Sequence, residues 1–292
     1  MKEKRIVINE NKTNRRVAYN KIGRVLFFLS TAFGMIVLAT LLIRIFTQGI
    51  GYLNWNFLTN YASRRPEDAG IKAAIAGTVW VMGITIPVSL ILGVGTAIYL
   101  EEYAPRNRLT RFIELNISNL AGVPSVVFGL LGLTVFVRFF AMGRSILAGG
   151  LTMSLLILPI IVVAAKEAIR SIPQEQYEAA YAMGATKWQI IRTVVLPAAT
   201  PGILTGAILS LSRAVGETAS LLMIGAMAFI AYLPDSIYSS FTVLPIQIFN
   251  WAGRPQAAFQ AVAAAGSIVL LVILILMNSL AIVIRNKYTK RY

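Results

Sequence analysis

The sequence predicts an all-helical integral membrane protein of about six spans, and three observations predict it. Of 292 residues, 57% are hydrophobic and 13% charged, with a mean hydropathy of +0.71, far from a soluble domain's balance. Apolar runs long enough to cross about 30 Å of hydrocarbon, about 20 helical residues, recur along the chain. The 27 Lys and Arg residues fall mostly in short segments between those runs.

The runs lie near 25–46, 71–100, 112–137, 146–169, 202–230 and 258–284. The first follows a basic segment, as a signal peptide would, but exceeds a signal's apolar core of about 7 to 15 residues and is expected to stay as a span. The chain thus divides into a basic tail at 1–24, a first span with its external loop at 25–70, a core at 71–285 with an internal polar loop at 171–200, and a second tail at 286–292. Pro87, Gly122, Pro124 and Pro159 interrupt the runs, and the carbonyls they free need partners inside the bundle. Gly202 and Gly206 form a small-xxx-small pair, while Ala261, Ala263, Ala264, Ala265 and Gly266 crowd the last run; both patterns suit close helix packing.

A net charge of +15 raises the question of nucleic acid, and the placement of the charges answers it. With the first tail in the cytoplasm, that side holds Lys2, Lys4, Arg5, Lys12, Arg15, Arg16, Lys21, Arg24, Arg106, Arg108, Arg111, Lys166, Arg170, Lys187, Arg192, Arg285, Lys287, Lys290 and Arg291. The other holds Arg64, Arg65, Lys72, Arg138, Arg144 and Arg254. This asymmetry predicts cytoplasmic termini, and the basic residues serve orientation and attraction to anionic lipid headgroups instead of nucleic acid. With no Cys and no His, a thiolate nucleophile, a disulfide framework, a Cys/His metal site and a histidine proton relay are excluded.

The polar loop reads as two short helices. Ser171 and Gln174 fit a capping box with Pro173 in the first turn, and Gly184 fits a left-handed stop after Met183. Thr186 and Gln189 repeat the capping pattern, and a second, amphipathic helix through Trp188 is expected to end at Pro197. On physical grounds such a unit is either an interfacial anchor, with Trp188, Lys187 and Arg192 among headgroups, or a docking element for a soluble partner.

In the fifth run Arg213 and Glu217 are four residues apart and are expected on one helix face. At about 1.5 Å per residue from Gly202 they would lie about 16 and 22 Å into the bilayer, at its midplane and one turn beyond. They are either a mutual ion pair that locks packing or part of a substrate pathway. In the second case the guanidinium would meet an oxyanion while Glu217 tempers its attraction. Thr218 and Ser125 are further candidates, although Ser125 also suits a simpler task, satisfying a carbonyl freed by Pro124.

The stretch EAAYAMGATKWQIIRTVVLP resembles the EAA loop of ABC importer permeases, with Glu178, Ala179, Ala180, Gly184, Leu196 and Pro197 at that family's spacing. Val194 stands where the family often carries Ile. The resemblance implies a type I, MetI-like permease fold of six transmembrane helices, in which Glu178, Ala179, Ala180 and Gly184 couple to an ATPase subunit. SLSRAVGETA, NLAGVPSVVFGLLGL and TVLPIQIFNWAGRPQ further resemble phosphate-importer permeases of the PstA type, with Ser220 where Pro is expected.

That resemblance implies a pathway formed with a second homologous permease, two ATP-binding-cassette subunits that use ATP and magnesium, and an extracytoplasmic phosphate-binding protein. No phosphate-binding G-x-x-x-x-G-K-S/T loop occurs in this chain, so hydrolysis would belong to the partners. Sulfate or molybdate import remains an alternative cargo, and a channel or gradient-driven transporter an alternative class.

Overall fold

The structure, a computed structural model, describes residues 10–227 and 229–288, and all regular structure among them is helical. The basic residues Lys2, Lys4, Arg5, Lys290 and Arg291 lie outside the described residues.

The long helices are α1 (Glu10–Gly49), followed by the short α2 (Trp55–Thr59), then α3 (Lys72–Ile98), α6 (Ile146–Arg170), α9 (Leu196–Val215) and α12 (Ala257–Tyr288). Helix α6 is central: 67% of its most apolar stretch is buried, against 0% for α1. Small residues set the spacing around it, since lipid tails give apolar side chains no reason to prefer protein and close contact must do the work. Gly93 of α3 meets Ile161, Gly150 of α6 meets Ile84, and Gly202 and Gly206 of α9 meet Ala168 and Ala164. At Gly206 a Cβ would fall 2.2 Å from that of Ala164. Thr85 adds a polar tie, donating to the Gly150 carbonyl at 3.1 Å. At the far end α1 closes on α12, with Gly49 against Ala264 and Ala265.

Pro87 and Pro159 sit inside continuous helices, but two expected spans are broken. The third splits at Gly122 and Pro124 into α4 (Arg108–Leu120) and α5 (Ser125–Gly132, helical on to Phe139), with a bend of 104°. Pro124 has no amide to continue the ladder and adopts ψ 136, directing the chain out of the helix. Asn107 caps α4, accepting from the Thr110 amide at 2.8 Å.

The fifth expected span is displaced. Its helix starts at Lys187 and is unbroken to Val215. Pro197, expected to end the preceding helix, lies in the first turn of α9. The widened turn Ile191–Val195, in which the Leu196 amide donates to the Ile191 carbonyl, accommodates it. After Val215 the chain leaves the helix at 216–218, forms the short helix α10 (Ala219–Ile224), and stops at Gly225 with φ +92. Residues 226, 227, 229 and 230, expected in the span, instead belong to non-helical chain. This segment folds against the bundle: Met227 donates to the Phe241 carbonyl at 2.9 Å, and Ile146 and Leu147 donate to Ser239 and Ile237. It leads to α11 (Leu244–Ala252), whose Leu244 amide donates to the Thr78 hydroxyl at 3.0 Å.

Candidate functional site

The loop after α6 forms α7 (Gln174–Ala182) and α8 (Lys187–Ile190), and its turns follow from local chemistry. Ser171 does not cap α7 as expected. Its hydroxyl donates back to the Ala168 carbonyl at 2.8 Å, closing α6, and α7 begins behind Pro173 with no side-chain cap. At the other end the Gly184 amide donates to Tyr181 and the Ala185 amide to Ala180. That double closure needs a left-handed residue, and Gly184 has φ +79. The box expected at Thr186 and Gln189 is present in both directions.

One side of the loop is bound to the bundle. Tyr177, Ala180 and Ala185 pack on the apolar cluster of Ala97, Ala165, Ile169, Ile190, Val195 and Ala199. The other side is bare: Glu178, Ala179 and Gly184 are exposed, and Met183 is 88% exposed. Of the residues expected to dock a partner, Glu178 and Ala179 therefore present themselves outward, whereas Ala180 helps seat the helix.

Carboxylates that the sequence reading passed over hold this end together. Glu101, in the last turn of the span Lys72–Tyr103, pairs with Arg170 at 2.8 Å and Lys166 at 3.7 Å. Lys166 also reaches Glu114 of α4 at 2.9 Å, so three helices share one charge cluster. The Tyr177 hydroxyl donates to Glu102 Oε1 at 2.9 Å. Burial, and then the carboxylate it bonds, push this phenol above the ordinary tyrosine pKa. Lys187 donates to the Glu102 carbonyl and lies 5.0 Å from the centre of the Tyr103 ring. A cleft of about 940 Å³ opens beside this network, with Arg106, Arg111 and Tyr181 on its walls. Consecutive acids at a span's end were the available signal, but in sequence they resemble a solvated helix terminus.

The second group lies at the break after α9. Arg213 is exposed in the last turn of α9, where a cation suits the helix C-terminus. Glu217 is beyond the helix end, so the two do not share a helix face, and no ion pair joins them among the described residues. The Glu217 carboxylate instead accepts from the amides of Ala219 at 3.1 Å and Ser220 at 3.4 Å, the first two of Ala219–Ile224. The mutual ion pair weighed from the sequence is thus replaced by two helix-end charges. The Thr218 hydroxyl donates to the Gly216 carbonyl at 3.5 Å. Ser125 opens α5, which packs on Ala219–Ile224 where Gly129 meets Ser220. The two broken spans therefore meet, although no hydrogen bond among the described residues joins Ser125, Arg213, Glu217 and Thr218 to one another. A neighbour of Arg213 also matters to packing: Ser212 donates to Asn278 of α12 at 2.5 Å. No cluster of three His, Cys, Asp or Glu residues able to hold a metal occurs among the described residues.

Residues 89–290 match the family described as the inner membrane component of binding-protein-dependent transport systems. A probable ABC transporter permease protein, YqgI, of Bacillus subtilis is 32% identical over 279 residues, which cover 91% of this chain and 94% of that protein. The phosphate transport system permease protein PstA 1 of Mycobacterium tuberculosis is 31% identical, covering 96% of this chain and 92% of that one. Among solved structures, a chain of a bacterial ABC transporter involved in the import of alginate aligns with TM-score 0.66 at 16% identity, over 96% of this chain and all of that one. A chain of the inward-facing MetNI methionine ABC transporter aligns with TM-score 0.61 at 21% identity, over 75% of this chain and 96% of that one.

Proposed function

The chain belongs to the family of inner membrane components of binding-protein-dependent transport systems, and on that premise we propose that its cargo is inorganic phosphate. It is an integral membrane permease of an ABC importer with the type I fold, and hydrolysis is carried out by partner ATPases. Relatives named as phosphate transport permeases, matched along nearly the whole chain, carry the phosphate reading.

The break after α9 is compatible with that cargo. Arg213 presents an exposed guanidinium with no carboxylate partner among the described residues, and a planar fork of donors suits a tetrahedral oxyanion. Glu217 keeps the adjoining short helix in place, and Ser125 and Thr218 offer hydroxyls near the same break. The pathway would be closed by a second permease. At the other end the exposed face of α7, with Glu178 and Ala179 and the turn at Gly184, would enter one of two ATPase subunits, which bind ATP and magnesium. An extracytoplasmic phosphate-binding protein would deliver the anion. Helix α12 runs antiparallel to α9, with Asn278 beside Ser212 and Arg285 beside Thr205, and α1 runs back from Gly49 at Ala264 and Ala265, so the start of α1 and the end of α12 point to the end that carries this loop, which supports placing both termini and the loop in the cytoplasm.

The test is reconstitution with the co-expressed partner subunits and binding protein loaded with phosphate, sulfate or molybdate. Phosphate-loaded protein is expected to stimulate ATP hydrolysis and uptake, and Arg213→Gln to lower uptake at equal membrane abundance. Stimulation by sulfate or molybdate alone would reassign the cargo. Uptake with no ATPase in the purified assembly would reassign the class.

A further inference from the structure

Both arms of the loop grip one residue. Tyr177, on α7, donates its hydroxyl to the Glu102 carboxylate at 2.9 Å. Lys187, where the next helix starts, donates its ammonium to the Glu102 backbone carbonyl and stacks over the adjoining Tyr103 ring. The residues before and after Glu102 are engaged too, Glu101 with Arg170 and Lys166 and Tyr103 with Lys187. Glu102 itself lies in the last turn of a span that runs unbroken from Lys72 and packs along α6 through Gly93 and Gly150.

We propose that Glu102 is the positioning residue of the loop, locking α7 and the start of the next helix to the end of the Lys72–Tyr103 span so that the three move as one body. The proposal rests on the reading of this loop as the ATPase docking element and adds where its motion goes. A loop held by its covalent ends and by non-directional apolar packing alone would pass displacement chiefly to α6 and α9. With Glu102 gripped from both arms, α3 is displaced as well, although it is distant from the loop in sequence. The grip is directional. A carboxylate accepts from Tyr177 while the main-chain carbonyl accepts from Lys187, so the side chain and the backbone of one residue address different arms. Hydrogen bonds to charged acceptors are stronger than neutral ones, and the half-buried setting of Tyr177 retains part of that strength.

The chain has no native Cys, so paired spin labels at Gln176→Cys and Tyr99→Cys report the distance between α7 and the end of the span in the full complex. In the wild type the distance distribution is expected to be the same without nucleotide and when trapped with ATP and vanadate. Tyr177→Phe, which removes only the hydroxyl, and Glu102→Leu are expected to raise the population of a second, nucleotide-dependent distance about tenfold, the shift that corresponds to losing one such bond. Glu102→Gln, which keeps an acceptor oxygen, is expected to restore most of the single distance. A role in folding alone would change complex abundance and leave the distances alone. The proposal is overturned if the wild-type distance changes between nucleotide states, or if Tyr177→Phe and Glu102→Leu leave it fixed. The docking reading is judged separately in the same preparation: if Glu178→Lys and Gly184→Leu transport normally, that reading fails whatever the labels report.

Discussion

Replacing Gly184 by Ala isolates the cost of one backbone angle. Gly184 has φ +79, and a Cβ there would meet nothing within 4 Å, so the substitution adds strain without a clash. A left-handed conformation costs an L-residue about 1 to 2 kcal/mol, and about 1.4 kcal/mol is a tenfold change in an equilibrium constant. The two bonds that depend on this angle run from the amides of Gly184 and Ala185 to the carbonyls of Tyr181 and Ala180. Their opening should become about tenfold more frequent in Gly184→Ala, and less so in Gly184→Asn, because Asn tolerates the left-handed region. Hydrogen exchange at these two amides in the assembled complex measures the effect. Exchange unchanged in the Ala variant would refute the assignment of the strain to this angle, and exchange raised equally along α6 would show that the damage is global.

Three other outcomes are expected. Gly206→Leu places side-chain atoms where even a Cβ would be 2.2 Å from Ala164, so it should separate α9 from α6 and lower the thermal midpoint of the complex by more than Gly23→Leu, where nothing lies within 4 Å. Lys166→Met leaves Glu114, at 26% side-chain exposure, without its cation, while Glu101 keeps Arg170; removing the shared cation should cost about 1 to 3 kcal/mol, visible as a lower denaturation midpoint. For Tyr177 the folded pKa is raised, chiefly by burial, so the stability it contributes is complete below the ordinary value of about 10 and declines as pH rises above it. The absorbance titration of wild type minus Tyr177→Phe should therefore show its phenolate transition above about pH 10, and a transition at or below that value would contradict the bond to Glu102.

The loop was largely legible because its signals are local. Thr186 followed by Gln189, and a glycine after a short helix, specify turns through bonds a few residues long. The reading failed where partners or geometry were not local. Ser171 followed by Gln174 has the same spacing as the true box, yet the Ser171 hydroxyl finds the carbonyl of Ala168. Pro197 was expected to stop a helix, and one widened turn absorbs it. The apolar run beyond Glu217 was expected to continue the fifth span because periodicity registers hydrophobicity and not the non-helical chain after Gly216. Arg213 and Glu217 were legible as costly charges, but their relation was not, since it depends on where the helix ends. Glu102 could not be singled out, because its partner Tyr177 is 75 residues away.

The widened turn at Ile191–Val195 also sets an azimuth. Each residue of a regular helix advances about 100° around the axis, and a wide turn takes up an extra residue without advancing the ridge pattern in step. Gly202, Gly206 and Arg213 therefore sit at a rotational phase relative to Lys187 that a regular helix of the same sequence would not provide. The small residues meet Ala168 and Ala164 while Arg213 remains uncovered, and Lys187 still reaches Glu102. The turn thus acts as a phase adjuster between two sets of contacts at opposite ends of one helix, so a one-residue insertion or deletion there would rotate one set out of alignment even if every side chain were retained.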